Sequence, residues 1–124
     1  MHGVKHKSHE ELTLLELVLQ LHGEFRRSLE PIGVTPLQAG VLLYVRRQTG
    51  TNMTNAAAAL CVRMPTLSEV VQDLVRKRWV TKRRALHDDR ALCLRLSRQG
   101  EVLVQRIMKH IRAIRSDLTF KEET

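Results

Sequence analysis

Aromatic residues are scarce in this sequence, since only 3% of its 124 residues are Phe, Trp or Tyr although 43% are hydrophobic. A core with so few rings must be built from Leu, Val, Ile and Ala, which favours helices. The length allows one domain with a real core, or one domain whose helical arms need a partner.

Cysteines are equally scarce, and no long apolar run occurs. Cys61 and Cys93 belong to no CxxC pair and follow no secretory signal, so we expect reduced thiols and a cytoplasmic protein. We interpret both cysteines as small buried residues rather than redox sensors. The longest apolar run, residues 56–62, is too short to span a bilayer, and no membrane partner is expected.

The sequence also lacks the motifs of catalysis and of cofactor binding. No nucleophile, base and orienting group form a recognisable motif, and no glycine-rich phosphate loop is present, so neither an enzyme nor a cofactor is predicted. His2, His6 and His9 have no carboxylate or cysteine partner at ligand spacing, so no metal site is predicted. A protein that responds to metal through these histidines is kept as an alternative.

Positive charge, in contrast, is abundant and concentrated in one part of the chain. The net charge is +8, and residues 60–115 carry fourteen Lys and Arg against five Asp and Glu. Such a block is expected of a protein that binds a polyanion, because each neutralised phosphate releases counterions. A basic surface that only keeps the protein soluble is the alternative.

The N-terminal part is predicted to be a flexible arm followed by one long helix. Residues 1–9 show no apolar pattern, whereas residues 10–29 carry two adjacent apolar stripes. One domain does not easily cover both stripes, so this helix is expected to contact a partner. The first stripe contains Leu14, Leu17, Val18, Leu21 and Phe25, and the second contains Leu12, Leu15 and Leu19.

Capping residues mark the helices that follow. Thr35 and Pro36 predict an N-cap followed by proline at the first helical position. The stretch "TGTN" at 49–52 is a loop or a short edge strand, and Thr54 is expected to cap an alanine-rich helix over 55–62.

A second, amphipathic helix and a hairpin come next. The amphipathic helix is predicted over 65–78, with Leu67, Val70, Val71 and Leu74 on one face. The small side chains of the helix before it allow a close approach, as in a helix-turn-helix. Residues 79–84 and 91–96 alternate as strands do, and residues 85–90 join them. The fold class is therefore mainly α with a small β-hairpin, with a winged helix-turn-helix domain over 35–98.

The C-terminal part is predicted to be one more helix, capped by Ser97 and reaching about residue 119. Apolar residues recur on it at spacings of three and four, which is the pattern of an a/d seam that we expect to meet a second chain. The seam consists of Val104, Ile107, Ile111, Ile114 and Leu118. Residues 10–34 and 99–124 are therefore assigned as N- and C-terminal dimerisation segments. The predicted dimer interface contains Leu14, Val18, Leu21, Ile107, Ile111, Ile114 and Leu118.

Two carboxylates and a guanidinium lie side by side at the predicted tip of the hairpin. In a wing, Arg90 is placed where a long cation can enter a minor groove, whose narrow width concentrates negative potential. Asp88 and Asp89 can pair with that guanidinium or cap turn amides, and so position it. An ordinary solvated turn is the alternative.

The stretch "DDRALCLRLSRQG" at 88–100 resembles the wing signature of the MarR family of bacterial transcription regulators. The preceding "GVTPLQAGVLLYV", "LCVRMPTLSEVVQDLVRKRWV" and "KRR" fall in the family's order, so the resemblance covers roughly residues 10–110. It implies a homodimeric winged-helix repressor or activator on a palindromic double-stranded DNA operator, with a small-molecule effector pocket between the dimer arm and the DNA-binding domain. A winged-helix module that binds protein and has only non-specific nucleic-acid affinity is the alternative.

The resemblance also implies which residues contact DNA. Two residues depart from the family pattern: Arg78 stands where the recognition helix commonly ends in glycine, and Glu69 brings a negative charge to the DNA side. The helix exit is therefore expected to differ, or Arg78 to bind phosphate. The predicted contacts are Pro65, Thr66, Ser68, Glu69 and Gln72 in the major groove, Arg90 in the minor groove, and Arg76, Lys77, Lys82, Arg83 and Arg84 on phosphates.

Overall fold

The structure is a computed structural model that describes the backbone of residues 2–85 and 88–123 and the side chains of residues 13–84 and 92–114. Within those residues the chain forms five α-helices, one 3-10 turn and three strands. In chain order they are α1 (His2–Leu29), the 3-10 turn (Glu30–Ile32), α2 (Pro36–Arg47), β1 (Thr51–Asn52), α3 (Met53–Leu60), α4 (Met64–Arg76), β2 (Val80–Ala85), β3 (Asp88–Leu96) and α5 (Arg98–Glu123).

Helix α1 is longer than predicted, because it begins at His2 and not at Glu10. The stretch over 2–9 that was assigned to a flexible arm has helical backbone continuous with the rest of the helix. Apolar periodicity was the criterion for the predicted start, but a helix that is already nucleated can extend through polar residues.

The predicted start of α2 is confirmed in detail. Thr35 is extended, and its hydroxyl accepts a hydrogen bond from the backbone N–H of Gln38 at 3.1 Å. The Gln38 side chain accepts from the backbone N–H of Thr35 at 3.0 Å, which completes a capping box. Pro36 follows at the first helical position, where its missing N–H costs nothing.

Helix α3 begins two residues earlier than expected, and Asn52 rather than Thr54 is its N-cap. The Asn52 side-chain oxygen accepts from the backbone N–H of Asn55 at 2.7 Å. Asn52 is also the last residue of β1, so its extended backbone already has the geometry that an N-cap requires. For "TGTN" the sequence predicted either a loop or a short edge strand, and β1 is a short edge strand.

The three strands form an antiparallel sheet in the order β1-β3-β2, so the long strand β3 lies between two edges. β3 begins at Asp88, which differs from the prediction that residues 85–90 all belong to the connection. Ala85 pairs with Asp88 after an irregularity in the register next to Arg84. Pairing thus continues almost to the tip, and the wing is longer than its alternating apolar residues alone indicated.

Ser97 caps α5 as predicted, with its hydroxyl accepting from the backbone N–H of Gly100 at 3.0 Å. The helix runs on to Glu123, four residues beyond the predicted end at about 119.

A single core lies between α2, α4, β3 and the first half of α5, and it changes the interpretation of the C-terminal seam. Val104 and Ile107 are completely buried within the one chain, and Ile114 is 6% exposed. The expectation that this seam serves a second chain is therefore wrong for Val104 and Ile107, because neither has surface left to offer. The fully buried large side chains are Leu42, Leu67, Leu74, Leu94, Ile107, Val41, Val45, Val71 and Val104, with Leu29 and Val80 at 1%.

None of the helices in the described part of the chain combines the length and hydropathy needed to cross a membrane.

Candidate nucleic-acid interface

Helix α4 presents one buried apolar face and one exposed polar face. Leu67, Val71 and Leu74 recur at spacings of four and three and have no exposed surface. Burying such side chains contributes about 1.5–3 kcal/mol each, which fixes the rotation of the helix on the core. The small residues Ala56 and Ala57 of α3 are buried beneath it. The opposite face of α4 is therefore held outward.

The predicted major-groove residues lie on that outward face. Of the six predicted contacts on α4, which include the phosphate candidate Arg76, five are exposed, and Ser68 is half-buried. Glu69, whose charge departs from the family pattern, is exposed among them. The exposed five are Pro65, Thr66, Glu69, Gln72 and Arg76.

The N-terminus of α4 carries an uncompensated partial positive charge. Its N-cap, Arg63, makes no side-chain capping bond, and the first turn contains no acidic residue. The first N–H groups of a helix favour nearby anions. This end of α4 is therefore electrostatically suited to a phosphate.

The strand register separates the three basic residues predicted on β2. Directly opposite residues of an antiparallel pair share a face of the sheet. Lys82 lies opposite the buried Leu94, whereas Arg83 lies opposite Cys93. Lys82 therefore projects on the side of the core and of α4, and Arg83 projects on the other side. Arg84 follows Lys82 by two and shares its face.

Arg90, Asp88 and Asp89 have their backbone in β3, and their side chains lie outside the described residues. The minor-groove role of Arg90 and the positioning role of the two carboxylates therefore stay predictions. The location is compatible with them, because these residues open β3 next to the tip of the hairpin.

A carboxylate that the sequence analysis did not single out organises the C-terminal half of α4. Asp73 accepts a hydrogen bond from Gln38 Nε2 at 2.8 Å, and it pairs with Arg76 and Lys77 at 3.3 Å each. Two predicted phosphate ligands thus share one acidic partner. The spacing of three and four along a helix was a visible signal for the ion pairs, but the contact with Gln38 spans 35 residues and had none.

Arg78 shows how the helix ends without glycine. Its φ of +63° lies in the left-handed region, where glycine is usually found. The N–H of Trp79 donates to the carbonyl of Leu74, and that of Arg78 to the carbonyl of Val75, both at 3.0 Å. These two bonds form a Schellman motif. Helix α4 therefore ends in the geometry expected for the family, and the strained left-handed residue is an arginine.

Replacing Arg78 by glycine is therefore expected to stabilise the protein. Relief of the left-handed conformation should raise the free energy of unfolding by about 1 kcal/mol, which corresponds to about 4 °C in Tm. Thermal unfolding followed by circular dichroism measures it. Gln72→Gly, within the same helix, is the matched control and should lose about 1 kcal/mol. Equal losses in both variants would show that position 78 carries no such strain.

The exit of α4 is tied directly to the start of α5. Ser97 donates its hydroxyl to the carbonyl of Arg78 at 2.5 Å, and its backbone N–H donates to the carbonyl of Trp79 at 3.0 Å. Gly100 packs so closely on Trp79 that a Cβ would overlap its carbonyl oxygen. One short segment thus joins the candidate recognition helix, the sheet and the C-terminal helix.

A cavity of about 280 Å³ lies where α1 and the start of α2 meet the end of α4. It brings cations from two elements together, Arg26 of α1 and Lys77 after α4. It lies between the arm helix and the DNA-binding domain. The lining residues are Arg26, Glu30, Gly33, Val34, Thr35, Gln38 and Lys77.

The cysteines and histidines provide no further site among the described residues. Cys61 is exposed, which corrects the prediction that it is buried, and Cys93 is half-buried. Cys61 occupies the left-handed end of α3 with φ of +54°. Within the described residues no three His, Cys, Asp or Glu side chains form a cluster that could hold a metal, and the side chains of residues 1–12 lie outside that part.

The comparisons with known proteins agree with this geometry. Residues 32–91 match the model of the MarR family. Wild-type MarR from E. coli, in its apo form, superposes with a TM-score of 0.80 at 22% identity over 88% of this chain and 82% of that one. MepR from S. aureus in a DNA-binding conformation gives 0.80 at 21% identity over 90% and 83%. No curated protein sequence matches the chain.

A third similar structure is the transcriptional repressor CouR bound to a 23-mer DNA duplex, with a TM-score of 0.80 at 24% identity over 86% of this chain and 75% of that one. The fold is therefore the winged helix of these proteins. Residues 32–91, just under half of the chain, match the MarR family model, and the chain shares the fold of these regulators.

Proposed function

We propose that this protein is a homodimeric, sequence-specific double-stranded DNA-binding regulator of transcription, with α4 in the major groove and the wing in the minor groove. The observation that carries the proposal is the exposed face of α4. It has an uncapped N-terminus at one end, Arg76 and Lys77 at the other, and Lys82 and Arg84 on the adjoining side of the sheet. Cations around a polar helix surface position a protein on phosphates while the helix contacts base edges.

The surface of α1 supports the homodimer. Leu14, Leu15, Leu17, Val18 and Leu19 are 44–62% exposed, although all five are apolar. A contiguous exposed apolar patch of this kind marks an interaction surface. Leu14 and Val18 belong to the predicted interface, and so does the half-buried Leu21. Of the C-terminal candidates, Ile111 is half-buried, and the side chain of Leu118 lies outside the described residues.

The comparisons supply further support for DNA as the partner and for repression as the outcome. MarR of E. coli was solved with operator DNA, and CouR is a repressor solved on a duplex. The cavity at Arg26 and Lys77 is a candidate site for a small-molecule effector, because it touches both the arm helix and the end of α4. A ligand there would change DNA affinity only if its affinity differed between a conformation that places α4 for DNA binding and one that does not.

Selection of bound duplexes from a random pool tests the proposal. The enriched sequence is expected to be an inverted repeat with half-sites about one helical turn apart, matching the twofold symmetry of a dimer. The affinity of the protein for this sequence should fall as salt is added. The slope of log K against log salt concentration should be about −0.9 for each phosphate neutralised. A pool that retains its starting composition after several rounds would contradict sequence-specific binding.

The wing is tested by Arg90→Ala. We expect the affinity for the selected operator to fall about tenfold while Tm is unchanged, because the proposed role of the guanidinium is to enter the minor groove and not to support the fold. An electrophoretic titration and a thermal melt measure the two quantities. Arg83→Ala is the matched control, since Arg83 lies on the sheet face away from α4 and should lose less. Equal affinity of the Arg90 variant and the wild type would remove Arg90 from the site.

Two observations favour a second candidate, a winged-helix module that binds a protein partner. Glu69 is exposed on the face assigned to DNA, and three residues of the predicted C-terminal seam, Val104, Ile107 and Ile114, are buried in their own chain. Light scattering separates the candidates, because a stable dimer is required only by the regulator. A monomer without preference for any duplex would favour the module.

A further inference from the structure

Asp73 lies on α4 next to the cations that are proposed to contact phosphate. Its carboxylate is held at three points, by Gln38 Nε2 at 2.8 Å and by Arg76 and Lys77 at 3.3 Å each. The side chain of Asp73 is 28% exposed, whereas that of Arg76 is 73% exposed. The acid is therefore fixed at the helix surface, and the arginine extends from it into solvent.

The group that fixes Asp73 is itself fixed. Gln38 belongs to the capping box of α2, where its side-chain oxygen accepts from the backbone N–H of Thr35 at 3.0 Å. With its oxygen engaged by the backbone, the amide of Gln38 presents its N–H group to Asp73 in one orientation. Asp73 therefore cannot follow Arg76 or Lys77 when either cation turns toward another anion.

We propose that Asp73 is a positioning residue that limits the affinity of α4 for phosphate. It competes with DNA for Arg76 and Lys77, and its own charge opposes the phosphate backbone. This inference rests on the proposed function. Because phosphate contacts carry no sequence information, the competition weakens binding to operator and to random duplexes by the same factor. A low non-specific affinity leaves more of the protein free to find its operator.

The variant Asp73→Asn tests the inference, because it removes the charge and keeps an oxygen that can accept from Gln38. The dissociation constants of the full chain for a random-sequence duplex and for the selected operator are measured over a salt series. We expect both affinities to rise about three- to tenfold at low salt, and the slope to steepen by about 1 to 2. The ratio of the two affinities should not change.

Glu101→Gln is the matched control. It also removes one negative charge and frees one arginine, since Glu101 pairs with Arg46 at 3.6 Å, but this pair joins α5 to α2. It should leave the salt slope unchanged and alter affinity less than twofold. In a protein that also carries Arg76→Ala and Lys77→Ala, Asp73→Asn should no longer steepen the salt slope of DNA binding.

A merely structural role of Asp73 predicts a different result. Its loss would then lower Tm and leave the salt slope of binding at the wild-type value, and that outcome overturns the inference. An equal gain in the Glu101 variant also overturns it, because net charge alone would then explain the effect. Failure of the wild-type protein to bind any duplex overturns the proposed function instead, and it is recognised before any variant is compared.

Discussion

Gly100→Ala is expected to destabilise the protein by about 3 kcal/mol or more, which lies at the upper end of the usual cost of overpacking. A Cβ at position 100 would overlap the carbonyl oxygen of Trp79 and come within 3.0 Å of its carbonyl carbon and 3.4 Å of Leu96. The obstacle is mainly backbone, which cannot rotate away as a flexible side chain can. The backbone of Trp79 also accepts from Ser97, so moving it would break the bond that joins α4 to α5.

Urea unfolding of the wild type and the variant measures the loss. Gly40→Ala is the matched control, because it also lies in a helix and its Cβ would meet only Leu60, at an ordinary 3.8 Å. That variant should keep or gain stability, since alanine is the better helix former by about 1 kcal/mol. If the Gly100 variant unfolded at the wild-type urea concentration, the close approach of α5 to Trp79 would be refuted.

The order of the elements and several of their ends were predictable because they are encoded locally. The N-caps Thr35 and Ser97 depend on residues within three positions, and both are confirmed. The rotation of α4 followed from the spacing of Leu67, Val71 and Leu74, which are all fully buried. Local hydrogen bonding and helical periodicity are short-range signals, and a sequence displays them directly.

Where periodicity alone was used, it did not distinguish a core from an interface. The spacing of Val104 and Ile107 fits a seam between chains, yet both are buried against their own core. An apolar face on a helix indicates burial, but it does not indicate whether the same chain or a second chain buries it. For α1 the opposite outcome holds, since Leu14 and Val18 are 62% and 53% exposed in the single chain.

Contacts between distant residues account for the rest of the candidate site that was missed. The carboxylate of Asp73 is adjacent to Gln38 only because α2 and α4 pack together. Arg78 and Cys61 adopt left-handed backbone although neither is glycine, because the paired hydrogen bonds of each helix end require it. In both cases tertiary structure or hydrogen bonding overrides the preference of the single residue.

Substitution of the exposed apolar residues of α1 is also expected to have a large effect on operator affinity. If the protein is the proposed homodimer, replacing Leu14 and Val18 together by lysine should convert it to a monomer and lower operator affinity at least a hundredfold. The two positions lie one helical turn apart, and lysine preserves helix propensity, so the fold of the chain is retained. The charges would face their symmetry mates across a twofold interface, where unpaired burial is costly. In a dimer, binding of one half-site holds the second subunit close to the other half-site. A monomer loses this gain in effective concentration, so operator affinity falls.

Light scattering and an electrophoretic titration on the selected operator measure the two losses, and circular dichroism verifies the helix content. Val102→Lys is the matched control, because Val102 is 60% exposed on α5 and belongs to no predicted interface. It should stay dimeric and bind the operator as the wild type does. The double variant should still bind an isolated half-site as well as the wild-type protein, since α4 and the wing are unaltered. A double variant that remains dimeric with full operator affinity would show that the subunits associate through another surface.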